Sequence, residues 1–291
     1  MTDSVPPFKV RLGELKSSVD RYIHTYLDGL EANLKGPGLS ELQKSVDYSL
    51  REGGQRIRPV LSLLTAEALG QSPEAVLPLG AAVELIHTYS LIHDDLPCMD
   101  DDDFRRGKPS NHKVFGEAVA VLAGDALCTE AFLLLANKYS ATPALAVQLI
   151  SELSLAAGAR GMVGGQGADV FFHGKNITQS EIEFLHLYKT GALFKASIMG
   201  AARVCGANAF QLKCLSDYGR TFGLIFQIAD DIMDGAGGVS DEPSYVKLAG
   251  VDNARRTCVQ LIEKAQNELS PLPEAEGLRQ LVGYLYERTL N

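Results

Sequence analysis

Two groups of aspartates stand out in the sequence, each beside a run of apolar residues. The first reads Asp94-Asp95-Leu-Pro-Cys-Met-Asp100 and continues through Asp101–Asp103, and the second reads Asp230-Asp231-Ile-Met-Asp234. Carboxylates gathered this closely repel one another, which raises their pKa values unless a cation lies among them. Magnesium prefers carboxylate oxygens and often shares its coordination with substrate phosphates. The two groups therefore predict a magnesium site that handles a phosphorylated substrate.

The spacing within each group decides whether its carboxylates can act together. Asp230 and Asp234 are four residues apart, so a helix places them on one face, and Gln227 shares that face. In the first group a continuous helix would direct Asp100 away from Asp94. Pro97 disfavours helix at the residue before it and has no amide donor, so we expect the helix to end there. A short turn then brings Asp100 back beside Asp94.

Basic residues that could bind phosphate accompany the aspartates. Arg105 and Arg106 follow the first group, the segment Gly53–Pro59 contains two more arginines, and Lys189–Gly191 adds a lysine. Arginine binds phosphate oxygens in a bidentate manner, whereas lysine acts as a point charge. His87 lies two helical turns before the first aspartate. Taken alone, a histidine at such a position is more often a core residue, and an arginine pair is usually solvated. These basic residues indicate a phosphate site only because the aspartates accompany them.

The elements that carry these residues are predicted to be helices. The signals for helix starts are capping boxes at Ser40–Gln43 and Thr178–Glu181, and an N-cap followed by proline at Ser72-Pro73 and Thr142-Pro143. Alternating strand patterns with hairpin turns are absent. The stretches Ala81–Ile92 and Leu215–Ile232 are apolar around most of their circumference, which is typical of helices inside a large domain. We therefore expect an all-α fold, in one domain over residues 1–291.

Composition narrows the possible functions. A net charge of −9 and a pI near 5.2 argue against nucleic-acid binding through bulk charge. No uncharged apolar run reaches the roughly 18–20 residues of a membrane span, and the N-terminus lacks a signal-peptide layout. The five cysteines form no CxxC pair, which favours reduced thiols. We expect a cytoplasmic protein.

These stretches are similar to sequence blocks of the trans-isoprenyl diphosphate synthases, of the bacterial farnesyl and geranylgeranyl type. Residues 84–109 resemble the first aspartate-rich motif of that family and residues 226–234 the second, while Gly53–Pro59, Gly164–Asp169 and Lys189–Gly191 match further blocks in order. The similarity covers about residues 40–235. It implies antiparallel helices around a deep central cavity, as in the isoprenoid synthase fold, and assembly as a homodimer.

The resemblance also implies a role for each matching residue. About three magnesium ions would bind with the diphosphate, among the aspartates Asp94, Asp95, Asp100, Asp230, Asp231 and Asp234. The implied catalytic residues are Asp94, Asp95, Lys189 and Asp230. The residues implied for the allylic diphosphate are Arg105, Lys189, Thr190 and Gln227, and those for isopentenyl diphosphate are Gln55, Arg58, His87 and Arg106. The implied reaction is metal-assisted ionisation of the allylic substrate and addition of isopentenyl diphosphate to the cation, without a protein nucleophile.

Two positions depart from the family pattern. Gln55 stands where the glycine-rich block GGKRxRP has its lysine, which removes one cation from the isopentenyl site. After the second motif, Glu242 falls at the position of another lysine, and Lys247 lies nearby. Both changes lower the expected affinity for phosphate. They concern the rate more than the type of reaction.

Product length is predicted from helix geometry. Ser90 is one turn from Asp94, about 6 Å along the axis, and Tyr89 is one residue further. A tyrosine ring there can close the cavity, and the resemblance associates these two positions with product length. Farnesyl diphosphate is the expected product, with geranylgeranyl diphosphate as the alternative.

Other interpretations remain open at this stage. Tyr89 could be an ordinary core residue. The chain could also be a catalytically weak paralogue that serves as a partner subunit, because two lysines are lost. A class I terpene cyclase is disfavoured, since the second motif is DDxxD and the chain has no tryptophan to steer cations.

Overall fold

The computed structural model describes residues 8–33, 36, 38–51, 53–175, 177–237 and 244–290. These residues form an all-α fold, as the sequence predicts. The helices are α1 Phe8–Asn33, α2 Leu39–Leu50, α3 Ile57–Ala68, α4 Leu77–Asp94, α5 Asn111–Phe115, α6 Glu117–Lys138, α7 Pro143–Ala157, α8 Met162–Phe172, α9 Gln179–Leu185, α10 Ala192–Val204, α11 Ala209–Gly237, α12 Tyr245–Ala249, α13 Val251–Glu268 and α14 Glu276–Glu287. Short 3₁₀ turns at Pro73–Val76 and Arg288–Leu290, a π-helical turn at His186–Gly191, and the strands β1 Phe104–Arg105 and β2 Lys108–Pro109 complete them.

The chain divides into two compact units. The first comprises Met1–Val60 and Leu77–Ile150, and the second comprises Leu61–Val76 and Ser151–Asn291. In the first unit α4 packs along α6, and in the second α11 packs against α10 and α13. The single domain over residues 1–291 stays a prediction.

The two apolar helices that end in aspartates are buried, as expected. On α4, Val83 and Ile86 are fully buried, and on α11 the same holds for Phe222 and Ile225. Burial on several faces requires side chains that are apolar around the helix, which is the pattern that the sequence shows. Each aspartate cluster therefore extends from a helix that packing holds rigidly.

Two segments are long and apolar enough to cross a membrane by length and composition alone. They are Pro73–Asp94 and Glu117–Lys138, of which 61% and 39% are buried inside the structure. Core helices of water-soluble proteins meet the same criteria. Glu84 lies inside the first segment, and Asp125 and Glu130 lie inside the second, so neither is an uncharged run.

The helix-start signals gave mixed results. Thr178 and Glu181 form the predicted capping box at the start of α9. The capping box predicted at Ser40 is wrong, because α2 begins one residue earlier, at Leu39, with Gly38 as its N-cap and no side-chain cap. The expected absence of hairpins is also wrong, since β1 and β2 pair in an antiparallel manner.

Candidate active site

The first aspartate cluster lies at the end of α4, in the turn that the sequence predicts. The helix ends at Asp94, and the amide of Asp95 still donates to the carbonyl of Leu91. The chain then reverses, so that the amide of Asp100 donates to the carbonyl of Asp94 at 2.9 Å. Because this hydrogen bond joins the two residues directly, the turn brings Asp100 back beside Asp94. The proline-based prediction is confirmed.

Asp95 is buried, whereas Asp94 is half-buried, and the carboxylate of Asp95 is paired with an arginine. Nε of Arg105 donates to the Asp95 carboxylate at 2.8 Å, and Nη2 of Arg105 donates to both Asp95 and Asp102. Burial raises the pKa of Asp95, and the hydrogen bond and charge of Arg105 offset only part of that rise. Asp95 is therefore held in one orientation beside the cation predicted for the allylic diphosphate.

The two arginines that follow the cluster lie in a tight hairpin, Arg105 on its first strand and Arg106 in its two-residue turn. Arg105 pairs with Lys108 across β1 and β2, and the intervening Arg106 and Gly107 have φ angles of 54° and 79°. Positive φ at both central residues is the mark of a type I′ turn. Arg105 and Arg106 have different partners, the carboxylate of Asp95 for the first and the carbonyl of Gly53 for the second. Together with Lys108 they line a cavity of about 380 Å³ in the first unit.

Arg106 reaches back to the glycine-rich segment. Its Nη1 donates to the carbonyl of Gly53, and its guanidinium lies over Gly54. A Cβ atom on Gly54 would lie 2.6 Å from Cζ of Arg106, and the φ angle of Gly54 is 128°. Only glycine permits both this backbone conformation and this close approach. The glycine-rich segment is therefore shaped to receive an arginine side chain.

Two of the residues predicted for isopentenyl diphosphate, Arg58 and Arg106, lie close enough to His87 in the first unit to affect its charge. His87 is half-buried on α4. Burial lowers the pKa of His87 well below its ordinary value, and the charges of Arg58, Arg106, Arg56 and Arg105 lower it further. Its imidazole is therefore neutral beside several guanidinium groups. Gln55, at the position of the missing lysine, has an exposed side chain.

Tyr89 and Ser90, the two positions predicted to control product length, lie on the last two turns of α4. The Tyr89 side chain is buried, and its ring stands edge-on to that of His93, with centroids 5.7 Å apart. Burial raises the pKa of Tyr89, with smaller contributions from Cys128 on α6 and from Asp94. The Ser90 hydroxyl donates to the carbonyl of His87 at 2.9 Å. The tyrosine ring therefore fills space between α4 and α6 close to the aspartate cluster.

The second aspartate cluster lies near the end of α11, in the second unit. Asp230 and Gln227 are half-buried, whereas Asp231 is buried and accepts a hydrogen bond from the amide of Tyr245 at 2.6 Å. Nε2 of His186 lies 3.8 Å from the same carboxylate. Asp231 thus holds the start of α12. The side chain of Asp234, like the whole of Glu242, lies outside the described residues.

Lys189 and Thr190 occupy the π-helical turn at His186–Gly191, between α9 and α10. Nζ of Lys189 donates to the carboxylate of Asp169 on α8 at 2.5 Å. A Cβ atom on Gly165 would overlap the amide nitrogen of Lys189, so α8 packs directly on this turn. Irregular π turns within helices are frequent at functional sites. The lysine is half-buried and paired with a carboxylate. A phosphate-binding cation can be paired in this way before its substrate binds.

The donor groups present suit magnesium that binds together with a phosphorylated substrate. The first cluster supplies hard carboxylate oxygens on a defined turn. Within the part of the chain that the structure describes, no group of three or more His, Cys, Asp or Glu side chains forms a complete cage for a metal ion. Magnesium usually keeps several waters and binds through one or two carboxylates plus substrate phosphates. The residues therefore fit such an ion.

Three residues stand in the quoted sequence blocks, but the partners that the structure gives them were not predicted: Asp169, Asp102 and Arg56. Asp169 and Asp102 each pair with a cation predicted to bind diphosphate, and Arg56 is buried behind the glycine-rich segment. Asp169 lies in a quoted sequence block, but nothing in the spacing links it to Lys189. Arg56 was seen only as one of two arginines in its segment, and its burial depends on partners far away in the sequence.

The chain is similar to known prenyl diphosphate synthases over most of its length. The family model "Polyprenyl synthetase" matches residues 39–282. The farnesyl diphosphate synthase of Geobacillus stearothermophilus is 43% identical over 272 residues, which cover 89% of this chain and 90% of that protein. A chloroplastic geranylgeranyl pyrophosphate synthase of Catharanthus roseus is 42% identical over 265 residues, covering 85% and 74%. A crystal structure of an FPP/GFPP synthase from Zymomonas mobilis has a TM-score of 0.88 and 36% identity, covering 96% of this chain and 98% of that one.

The all-α fold, the sequence of the two aspartate clusters and these similarities thus define a protein of the isoprenoid synthase class. The match to the family model extends over residues 39–282, and the Geobacillus stearothermophilus relative aligns over 90% of its own length. The chain belongs to the polyprenyl synthetase family.

Proposed function

We propose that this protein is a short-chain trans-prenyltransferase that condenses isopentenyl diphosphate with dimethylallyl and geranyl diphosphate to give farnesyl diphosphate. The observation that carries the proposal is the pair of aspartate clusters at the ends of buried helices, each accompanied by cations that can bind phosphate. The similarity to the farnesyl diphosphate synthase of Geobacillus stearothermophilus over 89% of the chain supports the reaction and its product.

In this proposal the aspartates bind magnesium, about three ions with the bound diphosphate. The aspartates assigned to this role are Asp94, Asp95, Asp100, Asp230, Asp231 and Asp234. When bound, magnesium neutralises the negative charge that develops as the allylic carbon–oxygen bond breaks. The hydrogen bonds from Arg105 already orient the carboxylate of Asp95 for this role. Asp231, which accepts from the amide of Tyr245, contributes more to the shape of the site than to direct metal binding.

The cations and polar groups bind the two diphosphates. We assign Arg105, Lys189, Thr190 and Gln227 to the allylic diphosphate, and Gln55, Arg58, His87 and Arg106 to isopentenyl diphosphate. The low pKa of His87 keeps its imidazole neutral, so it donates one N–H to phosphate without adding charge among the arginines. The isopentenyl double bond attacks the allylic cation, and the released diphosphate takes the proton that the product loses. No nucleophile of the protein takes part.

Product analysis with labelled isopentenyl diphosphate tests this proposal. Purified protein is incubated with magnesium and, in separate reactions, with dimethylallyl, geranyl or farnesyl diphosphate. We expect elongation of the first two primers to a fifteen-carbon diphosphate and little use of the third. A cyclic hydrocarbon would instead identify a terpene cyclase, and the absence of any product with all three primers would refute the proposed activity.

Geranylgeranyl diphosphate is the second candidate product. It is supported by the 42% identity to the Catharanthus roseus geranylgeranyl pyrophosphate synthase. In the same assay this activity would extend farnesyl diphosphate to twenty carbons. A weak paralogue that acts as a partner subunit would show little elongation alone and more in the presence of an active relative.

We further propose a cytoplasmic homodimer that associates through α6. This helix exposes apolar side chains, among them Leu122 and Leu133 at 55% and 48% exposure. Apolar surface of this kind is typical of subunit interfaces. Sedimentation should give a dimer for the wild-type protein and a monomer for Leu122→Glu. A monomeric wild type at micromolar concentration would contradict the proposal.

A further inference from the structure

Arg56 is a charged residue with no exposed surface on its side chain. Its relative exposure is 2% for the whole residue and 0% for the side chain, and it is among the largest fully buried side chains in the described part of the chain. Its backbone has a φ angle of 53°, in the left-handed region that non-glycine residues rarely adopt. A buried charge and a rare backbone conformation both cost free energy, so their coincidence at one residue requires compensating contacts.

The contacts of Arg56 come from three different helices of the first unit. Nη1 donates to the carboxylate of Glu84 on α4 at 2.8 Å, and Nε donates to Asp20 on α1 at 2.9 Å. Nη2 donates to the carbonyl of Leu50, the last residue of α2, at 2.6 Å. Glu84 is itself 1% exposed. Burial lowers the pKa of Arg56, but the charges and hydrogen bonds of Glu84 and Asp20 outweigh it and leave the pKa raised.

These contacts connect the two segments that carry the residues assigned to isopentenyl diphosphate. Arg56 lies between Gln55 and Ile57 in the glycine-rich segment, two residues before Arg58. Glu84 lies three residues before His87, which is one turn along α4. The ion pair between Arg56 and Glu84 therefore fixes the segment to the helix at the level where Arg58 acts on His87.

Stability alone does not explain this ion pair. A buried pair costs so much desolvation that apolar residues of similar volume are often as stable or more stable. The three directed hydrogen bonds of Arg56 instead hold the groups that they join in a single orientation. The glycine-rich segment needs such a restraint, because Gly53 and Gly54 have φ angles of 85° and 128° and confer little rigidity of their own.

We propose that Arg56 is a positioning residue for isopentenyl diphosphate, which fixes the glycine-rich segment to α4 so that Arg58 and His87 hold the substrate in one geometry. This inference rests on the proposed function, since it presupposes that the segment binds isopentenyl diphosphate. Arg56 itself, buried behind the segment, does not touch the substrate.

The test separates positioning from stability with an apolar replacement of the pair. The variants are Arg56→Met, Glu84→Leu, the double variant Arg56→Met with Glu84→Leu, and Arg56→Lys. Tyr218→Phe is the control for lost stability, because it removes a buried hydrogen bond from Tyr218 to the carbonyl of Leu278 in the second unit. Steady-state kinetics with each substrate varied and thermal unfolding are measured for every variant.

The double variant is expected to lose some thermal stability, because Asp20 and the carbonyl of Leu50 lose their donor, and yet to fold and to show a KM for isopentenyl diphosphate that is raised about tenfold or more. The KM for geranyl diphosphate should stay within about twofold, since its assigned residues lie elsewhere. Arg56→Lys keeps the charge but loses the directed fork, so an intermediate rise in the same KM is expected. The control should lose thermal stability without any change in KM.

A double variant that folds with an unchanged KM for isopentenyl diphosphate would overturn the positioning role. If the double variant does not fold, Arg56→Lys decides: an unchanged KM in that variant also overturns the role. A wild-type protein that elongates no primer would refute the proposed function instead, and this outcome is seen before any variant is made.

Discussion

Replacing Gly54 by alanine should weaken isopentenyl diphosphate binding much more than replacing its neighbour Gly53. The added Cβ would lie 2.6 Å from Cζ and 2.7 Å from both terminal nitrogens of Arg106. A flexible side chain yields more easily than backbone, so we expect Arg106 to move and to lose its hydrogen bond to the carbonyl of Gly53.

The magnitude follows from two separate costs. The left-handed φ of Gly54 strains any other residue by about 1–3 kcal/mol, of which reduced freedom of the unfolded chain returns about 0.4–1 kcal/mol. Displacement of the guanidinium removes a hydrogen bond from a charged group, worth about 1.5–3 kcal/mol. If loss of this hydrogen bond weakens substrate binding by the same free energy, the KM for isopentenyl diphosphate rises about 10- to 100-fold, because each 1.4 kcal/mol is a factor of ten.

Gly53→Ala is the matched control. Gly53 also has a positive φ, 85°, but a Cβ atom there would meet nothing within 4 Å. Both variants should therefore lose a similar amount of stability in thermal unfolding, whereas only Gly54→Ala should raise the KM for isopentenyl diphosphate strongly. Equal KM values in the two variants would refute the reasoning that Arg106 depends on the missing side chain of Gly54.

Three further predictions concern the metal, the missing lysine and product length. EDTA should abolish turnover and magnesium should restore it, and Asp94→Ala or Asp230→Ala should lower the single-turnover rate by orders of magnitude; turnover that persists in chelator would contradict a metal-dependent mechanism. Gln55→Lys should lower the KM for isopentenyl diphosphate by about fivefold, a salt-sensitive gain on the order of 1 kcal/mol, and leave the KM for geranyl diphosphate unchanged. No gain in that assay would mean that another group already fills this role. Tyr89→Ala should shift the products toward twenty carbons or more in chromatography of the dephosphorylated alcohols, because it removes a buried ring beside Asp94. An active variant with unchanged product length would show that Tyr89 is a core residue only.

Local chemistry in the sequence predicted some features well. Pro97 has a strong effect on the residue before it, so the end of α4 and the return of Asp100 could be derived from sequence alone. The capping box at Thr178 could also be recognised from the sequence, because every group that forms it lies within four residues. The apolar circumference of α4 and α11 likewise predicted their burial.

Other features depend on tertiary packing or on rare backbone conformations. The hairpin at Arg106-Gly107 was missed because an arginine occupies a position with positive φ, where asparagine, aspartate or glycine is the usual signal. The buried pairs of Arg56 join residues 36 and 28 positions apart, and no short-range pattern reveals them. The capping box predicted at Ser40 failed because Gly38 already provides the helix start.

The π-helical turn at His186–Gly191 has a consequence for how sequences of this family can diverge. A π turn holds one residue more than an α turn, so deletion of a single residue there would restore a regular helix. Each residue of an α-helix turns by about 100°, so that deletion would rotate everything on one side of the turn relative to the other. Substitutions within the turn change the chemistry of Lys189 while leaving its direction intact. A deletion in this segment therefore changes the site more than a substitution does. A relative that lacks one residue here is expected to differ in activity even where its side chains match.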